Sequence, residues 1–155
     1  MAGPPRIQTE VHAAFQIVAL ANRISSSASR AYLRSYGVGV MEWRVLALLA
    51  LRPGVSANEI SQISGVDKAA VSRSVHALVR RGRVLARTDQ ADSRRVRLTL
   101  TPEGQALHDR MILASLEREG LLLDGLSGEE RDALFTLLGK LAANLPRLEA
   151  HEPGG

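Results

Sequence analysis

A dense group of basic side chains near the middle of the chain has the chemistry needed to bind a polyanion. Nine Lys and Arg residues and three acids lie between Val66 and Arg97, so this stretch carries a net charge of +6, whereas the whole chain carries +4. Such side chains neutralise phosphates and form charge-assisted hydrogen bonds with them. A basic centre between mildly acidic flanks is typical of proteins that bind nucleic acid, but a solvated basic surface would have the same composition.

One predicted helix would present part of this charge on a single face. Asp67 is a favourable N-cap and Gly82 a favourable stop, so we expect the helix to run from about Lys68 to Arg81. Its inward face would carry the apolar residues Val71, Val75, Leu78 and Val79. Its outward face would carry small, hydrogen-bonding or basic residues, namely Lys68, Ala69, Ser72, Arg73 and His76. Arg80, near the end of the helix, is a further candidate for DNA contact.

An outward face of this kind can enter the major groove of DNA, which is about 12 Å wide. Arg73 has the two donors that bind O6 and N7 of guanine, and Ser72 has a hydroxyl for a base edge or a phosphate. An ordinary amphipathic helix would explain Ser72 and His76 equally well. It would explain less well the arginines that follow at the end of the helix.

A β-hairpin is predicted after this helix, because the hydrophobic period there changes from 3.6 to 2. Short strands at 84–87 and 95–100 enclose a polar loop, and the tip region carries Asp92, Arg94 and Arg95. An arginine at such a tip can enter a narrow, strongly negative minor groove, and we assign this role to Arg94. Asp92 would hold the Arg94 guanidinium by a charge-assisted hydrogen bond. The alternative is a simple surface salt bridge, worth about 0–1 kcal/mol.

Further helices must position these two elements. Ser56 with Glu59 and Ser127 with Glu130 form two capping boxes, each of which marks a helix start. A helix, a short helix, a tight turn, a helix and a two-stranded wing make a winged helix-turn-helix, here at 41–101. The chain should therefore be mainly α-helical with one small β-hairpin. Periodicity and turn residues predict the further helices at about 8–36, 41–51, 56–64, 102–120 and from 128 onwards.

Composition and motif content argue against several classes of protein. The chain has no cysteine, which excludes disulfides, cysteine-ligated zinc and a thiol nucleophile. Its four histidines lack metal-binding spacing, and no hydrolase or phosphate-loop motif occurs, so we expect no enzyme, cofactor or metal. The longest apolar run, Val45–Leu51, falls short of the about 20 residues in a membrane span, and no secretory signal is visible. We therefore expect a soluble, cytoplasmic protein.

The order and spacing of these motifs resemble those of MarR-type (multiple antibiotic resistance regulator) transcription factors. The resemblance is close over about Met41–Gly104 and looser in the flanking helices. It is carried by Glu42-Trp-Arg-Val-Leu46, Glu59-Ile-Ser61, Gly65-Val-Asp-Lys68, Val71-Ser-Arg73, Leu78, Arg81-Gly82, Asp92-x-Arg94 and Leu100-Thr-x-x-Gly104.

The resemblance implies a homodimeric regulator, a repressor, that binds a pseudo-palindromic operator in double-stranded DNA. A helix at 6–36 and the C-terminal helices at 102–149 would form the dimer interface with their apolar stripes at Ile7–Val18 and Leu134–Leu145. Part of each stripe would instead pack within the chain. A winged-helix module that binds a protein partner without DNA is the alternative, and the basic stretch argues against it.

The resemblance also implies an effector, a small aromatic or phenolic anion bound between the dimerisation helices and the winged helix. Apolar clefts with a few polar groups are the usual ligand sites. The candidate residues are His12, Phe15, Tyr32, Tyr36, Trp43 and Arg44, and His108 lies on a helix that would line the same crevice. The alternative, favoured for Phe15 and Trp43, is that the aromatic side chains only pack the dimerisation helices against the winged helix. Without cysteine, a thiol-oxidation trigger is excluded.

Three residues depart from the family pattern. Ser61 stands where alanine is usual, and it is small enough to keep a close crossing of two helices. Arg83 stands where an apolar residue is usual, which predicts a first wing strand that is shifted or more exposed. Ala86 replaces a residue that is usually polar or basic.

Overall fold

Seven α-helices and a two-stranded sheet form the part of the chain that the computed structural model describes, residues 8–90 and 92–152. The prediction of a mainly helical fold with one small hairpin is confirmed. Two compact units divide after Leu113, inside α5. No helix within the described ranges is long and apolar enough to span a membrane. The elements are α1 (Ala13–Tyr36), α2 (Val40–Leu51), α3 (Ala57–Ser64), α4 (Lys68–Arg80), β1 (Val84–Thr88), β2 (Val96–Leu100), α5 (Pro102–Leu122), α6 (Gly128–Ala143) and α7 (Leu145–Glu149).

Helix α1 begins later than the predicted start near Gln8. The Phe15 N–H donates to Nδ1 of His12 at 3.2 Å, so the histidine caps the helix and fixes its first turn. At the other end Gly37 adopts a left-handed φ of 66° and stops the helix, as predicted. Residues 6 and 7, with which the prediction began, lie outside the described residues.

Helix α2 lies at the centre of the hydrophobic core of the first unit. Its residues Val45, Leu46 and Leu49 are at most 1% exposed. Burial on this scale stabilises the fold by about 1.5–3 kcal/mol for each large apolar side chain. The other elements of the unit supply the rest of the core, together with further α2 residues: Ala28, Tyr32, Val38, Trp43, Ile60, Val71, Val75, Leu78, Val84, Leu98, Leu107 and Met111.

The turn between α3 and α4 is closed by local hydrogen bonds. The capping box predicted at Ser56 is confirmed, since its N–H donates to Oε2 of Glu59 at 2.8 Å and the Glu59 N–H donates back to Oγ at 3.3 Å. Gly65 then ends α3 with a φ of 64°. The Ser61 hydroxyl donates to the Val66 carbonyl at 2.6 Å. The residue that departs from the family pattern therefore ties the turn together.

The wing, residues 84–100, pairs with the turn that precedes α3. Strands β1 and β2 are antiparallel, with Val84 opposite Leu100 and Thr88 opposite Val96. The Gly54 N–H donates to the Leu98 carbonyl at 2.8 Å, and the Leu98 N–H donates to the Val55 carbonyl at 3.1 Å. These backbone bonds attach the hairpin to the helical core. Of the β1 residues only the first is buried, in line with the exposed first strand predicted from position 83.

The start of α5 joins the end of α4 to the wing. The Thr101 hydroxyl donates to the Gly82 carbonyl at 2.7 Å and accepts the Gly104 N–H at 3.0 Å, so it caps α5 as predicted. The Thr101 N–H donates to the Arg83 carbonyl at 3.1 Å. Gly104 lies so close to that carbonyl that a Cβ would clash with it. The spacing Thr-x-x-Gly thus has a steric reason.

In the second unit, α6 begins with the predicted capping box at Ser127. None of its residues is buried, and Leu138 and Leu141 are 44% and 46% exposed. Within the described chain only Leu134 of the Leu134–Leu145 stripe is half-buried, so a small part of the stripe packs within the chain, as predicted. The helix ends at Ala143, and a separate short helix, α7, follows.

Candidate nucleic-acid interface

Helix α4 separates a buried face from an exposed basic face. Val71, Ser74, Val75 and Leu78 are buried, a spacing of i, i+3, i+4 and i+7 that places them on one side of a helix. Val79, which we predicted to face inward, is 36% exposed, because it lies at the edge of this face, one residue before the helix ends. Ser74 is buried instead, which the sequence analysis did not predict because serine is polar.

The predicted DNA-contacting residues of α4 lie outside its buried face. Lys68, Ala69, Arg73, His76 and Arg80 are exposed, and Ser72 is half-buried. The carboxylate of Asp67 accepts the Ala70 N–H at 2.9 Å and so fixes the start of the helix, as predicted. Helix α4 thus begins at a defined residue, with the positive end of its dipole beside Lys68.

The wing tip is organised by Asp92 in a way that corrects the prediction. Its carboxylate does not hold the Arg94 guanidinium; it accepts the Arg94 backbone N–H at 3.0 Å and lies 3.3 Å from Nε of Arg95. A short aspartate side chain readily bonds the backbone two residues further on, which explains the first contact. Arg94 is itself exposed. Asp92 therefore shapes the tip, while the neighbouring arginine takes the ion pair.

A second ion pair, which the sequence analysis did not predict, joins two residues of the wing. Nε of Arg97 lies 2.7 Å from Oδ2 of Asp89, and its Nη1 donates to the Gly54 carbonyl at 3.2 Å. The hydrogen bonds from Ser56, helped by the nearby positive charge of the wing arginines, lower the pKa of Glu59 below its usual value. Glu59 thus places a carboxylate near the wing arginines in the first turn of α3.

Three of the predicted ligand-binding residues meet in an aromatic cluster made of the buried Tyr32 and Trp43 and the half-buried Tyr36 and His108. The Tyr32 and Trp43 rings meet edge to face at 6.1 Å, and the Trp43 ring stacks on His108 at 5.6 Å. Tyr36 lies at the margin, 6.5 Å from Tyr32. The packing role favoured for Trp43 is in line with its burial.

The other three predicted ligand residues have different surroundings. His12 caps α1. Phe15 is 49% exposed within this chain, and the packing role that we favoured for it in the dimer stays a prediction. Arg44 is exposed and donates to the Ser25 hydroxyl at 3.1 Å. Among residues 8–90 and 92–152, the hydrogen bonds and ring contacts of these three side chains do not reach the aromatic cluster.

Comparison with known proteins agrees with this architecture. The model of the MarR family matches residues 36–95. A MarR/EmrR-family transcriptional regulator of known crystal structure from Acinetobacter sp. ADP1 is 36% identical, and the match covers 91% of this chain and 99% of that one with a TM-score of 0.86. The transcriptional repressor YetL of Bacillus subtilis (strain 168) is 28% identical over 116 residues, 74% of this chain and 70% of YetL.

A further solved structure is that of BpsR from Bordetella bronchiseptica, whose DNA binding is regulated by 6-hydroxynicotinic acid. It is 25% identical, and the match covers 82% of this chain and 98% of the BpsR chain with a TM-score of 0.69. The motifs, the winged helix-turn-helix and these similarities agree along nearly the whole chain. The chain belongs to the MarR family of winged helix-turn-helix transcriptional regulators.

Proposed function

We propose that this protein is a dimeric, sequence-specific DNA-binding repressor that a small aromatic or phenolic ligand releases from its operator. The observation that carries the DNA-binding part is the shared exposure of two basic surfaces in one unit, the outer face of α4 and the wing tip. Both consist of side chains suited to binding and not to covalent chemistry. We therefore assign no catalytic role to any residue and expect the protein to act in the cytoplasm.

In this proposal α4 enters the major groove. Arg73 donates two N–H groups to a guanine, and Ser72 contacts a base edge or a phosphate. Lys68 binds phosphate at the start of α4, where the helix dipole adds to its charge. Ala69 supports a close approach because it is small, and the exposed side chains of His76 and Arg80 extend the same face.

The wing tip contacts the adjacent minor groove in the same proposal. Arg94 inserts into the groove, where the negative potential is strongest when the groove is narrow. Asp92 assists indirectly, since it binds the Arg94 backbone and limits the conformations of the tip. Arg95, already paired with Asp92, contacts a phosphate at the edge of the groove.

Exposed apolar surface supports the homodimer. Soluble monomers rarely expose large contiguous apolar patches. Two-fold pairing of two chains through α1, α5 and α6 would cover the exposed apolar side chains of these helices. It would also place the two copies of α4 about one DNA turn, roughly 34 Å, apart. Large hydrophobic side chains that are exposed along α1, α5 and α6 and their flanks are Val11, Phe15, Val18, Leu113, Leu116, Phe135, Leu137, Leu138 and Leu141.

The effector part is supported by the aromatic cluster and by BpsR, whose regulator is an aromatic acid. Aromatic rings stack on aromatic side chains, and a carboxylate or phenolate pairs with a cation. We propose Tyr32, Tyr36 and Trp43 as the aromatic part of the site. His12, Phe15 and Arg44 complete it once the second chain of the dimer is in place.

The proposed function is tested by selecting bound duplexes from a random DNA library with the purified full chain. We expect an enriched pseudo-palindrome with half-sites one helical turn apart. Binding to it should weaken steeply with salt, because each neutralised phosphate adds about 0.9 to the slope of log affinity against log salt. Lack of any enriched sequence, with a flat salt response, would favour the protein-interaction module instead.

A further inference from the structure

A buried carboxylate behind the proposed DNA-binding surface connects three helices. The side chain of Glu42 is only 12% exposed. Its Oε2 accepts the Gly39 N–H at 2.9 Å, which caps α2. The Nη1 atom of Arg81 lies 3.0 Å from Oε1 and 3.3 Å from Oε2 of the same carboxylate. A buried charge is tolerated only when it is paired and hydrogen-bonded, so this geometry is closely specified.

Arg81 occupies the junction between α4 and the wing. It is the C-cap of α4, directly before Gly82, which turns the chain toward β1. Its Nη1 also donates to the Gly37 carbonyl at 3.3 Å, the residue that ends α1. The ion pair therefore holds together the end of α1, the start of α2 and the end of α4.

We propose that Glu42 and Arg81 are positioning residues for operator recognition, which act without touching DNA. The proposal rests on the proposed function, because it assumes that α1 belongs to the dimer interface and α4 binds the major groove. The separation of the two α4 helices in a dimer then depends on the angle between α1 and α4 in each chain. The Glu42–Arg81 ion pair, together with the hydrogen bond from Arg81 to the Gly37 carbonyl, links the end of α4 to the end of α1 and so restrains that angle.

Positioning and simple electrostatics predict opposite effects for Glu42→Gln. The substitution removes a negative charge from the unit that carries the basic surface, so electrostatics alone predicts equal or tighter binding to every DNA sequence. Loss of the ion pair instead predicts weaker binding to the operator, by about tenfold, with unchanged binding to random DNA. Glutamine keeps an oxygen that can accept the Gly39 N–H, so the cap of α2 is retained.

Glu59→Gln is a matched control within the same unit. Glu59 also accepts the backbone N–H of its N-cap, at 2.8 Å, and the substitution removes the same charge. It leaves the contact between α1 and α4 intact. We expect Glu59→Gln to bind the operator at least as tightly as the original chain.

The experiment compares both variants with Arg81→Ala and Arg81→Lys on the selected operator, on random DNA and on operators with half-site spacing changed by one base pair. We expect Glu42→Gln and Arg81→Ala to lose operator affinity and spacing discrimination while the salt slope stays the same. Arg81→Lys should recover part of both, since it keeps the charge. Thermal unfolding of each variant verifies that it is folded at the assay temperature.

Operator affinity of Glu42→Gln equal to that of Glu59→Gln would overturn the proposal. So would an equal loss on operator and random DNA for Arg81→Ala with a salt slope lower by about 0.9, because Arg81 would then be a phosphate contact. If Glu42→Gln is unfolded, Arg81→Lys and Arg81→Ala decide by the same criteria. Failure of the original chain to prefer any sequence would instead contradict the proposed function itself.

Discussion

Asp92 shows how one short side chain can order the neighbouring residues that we propose contact DNA. By accepting the Arg94 N–H and pairing with Arg95, it restricts the conformations of the hairpin tip in the absence of DNA. Preorganisation of this kind lowers the entropy cost of binding. The Arg94 side chain itself is exposed and contributes nothing to the hydrophobic core. Its function and its contribution to stability should therefore be separable.

We predict that Arg94→Ala weakens operator binding by about tenfold or more, because it removes the minor-groove contact. The free energy of unfolding should change by less than about 0.5 kcal/mol, as is usual for an exposed side chain. Fluorescence anisotropy with labelled operator measures the first quantity and chemical denaturation the second.

Arg30→Ala is the matched control, since it removes one exposed positive charge from α1, outside α4 and the wing. Equal losses of affinity in the two variants would mean that Arg94 acts only through net charge. A large drop in stability of Arg94→Ala would mean that the arginine is structural.

At the scale of elements, the most constrained contact is the one between α5 and the end of α4. The Thr101 hydroxyl bridges the Gly82 carbonyl and the Gly104 N–H, while the Arg83 carbonyl lies directly against the helix backbone. The first wing strand begins directly after Arg83, and α5 begins directly after Thr101. A side chain at position 104 must therefore displace either the wing or α5.

Gly104→Ala should lower the free energy of unfolding by about 1–3 kcal/mol, the usual cost of overpacking. Gly120→Ala, in the same helix with open space around it, should be neutral or stabilise the protein by up to about 1 kcal/mol, since alanine favours helix. Thermal denaturation of both variants measures the difference. Equal stability of the two variants would show that the junction relaxes without cost.

Local chemistry explains what the sequence predicted well. The capping boxes at Ser56 and Ser127 and the stop at Gly37 depend on residues within one turn, and all three are present. The pairing of the wing with Gly54 involves backbone atoms far apart in the chain and leaves no side-chain pattern. The partner of Asp92 depends on the conformation of the tip, which its residue types do not fix.

At the scale of the whole molecule, burial is unevenly distributed. The winged helix-turn-helix has a dense core, whereas no residue of α6 is buried within the described chain. Propensity alone rarely keeps a short helix folded in water, and most helical stability comes from packing of an apolar face. The hydrophobic stripe of α6 is thus best explained by contacts that a single chain does not supply.

We predict that Leu138→Glu converts the proposed dimer to a monomer, because it places a charge in the hydrophobic interface that we assign to α6. Sedimentation equilibrium measures the mass of the variant in solution. Its affinity for the operator should also fall, because a monomer binds only one half-site at a time. Leu51→Glu is the control: this leucine is 76% exposed at the end of α2, outside the stripe. A dimer that survives Leu138→Glu would contradict the assigned interface.

The attachment of the wing through the backbone of Gly54, Val55 and Leu98 has a consequence for divergence. Main-chain hydrogen bonds do not depend on which side chains the tip carries. Substitutions at the tip can therefore change what the hairpin contacts without moving the hairpin. Related proteins can therefore acquire new operator preferences through substitutions of a few exposed residues, while the residues that position the wing stay under selection.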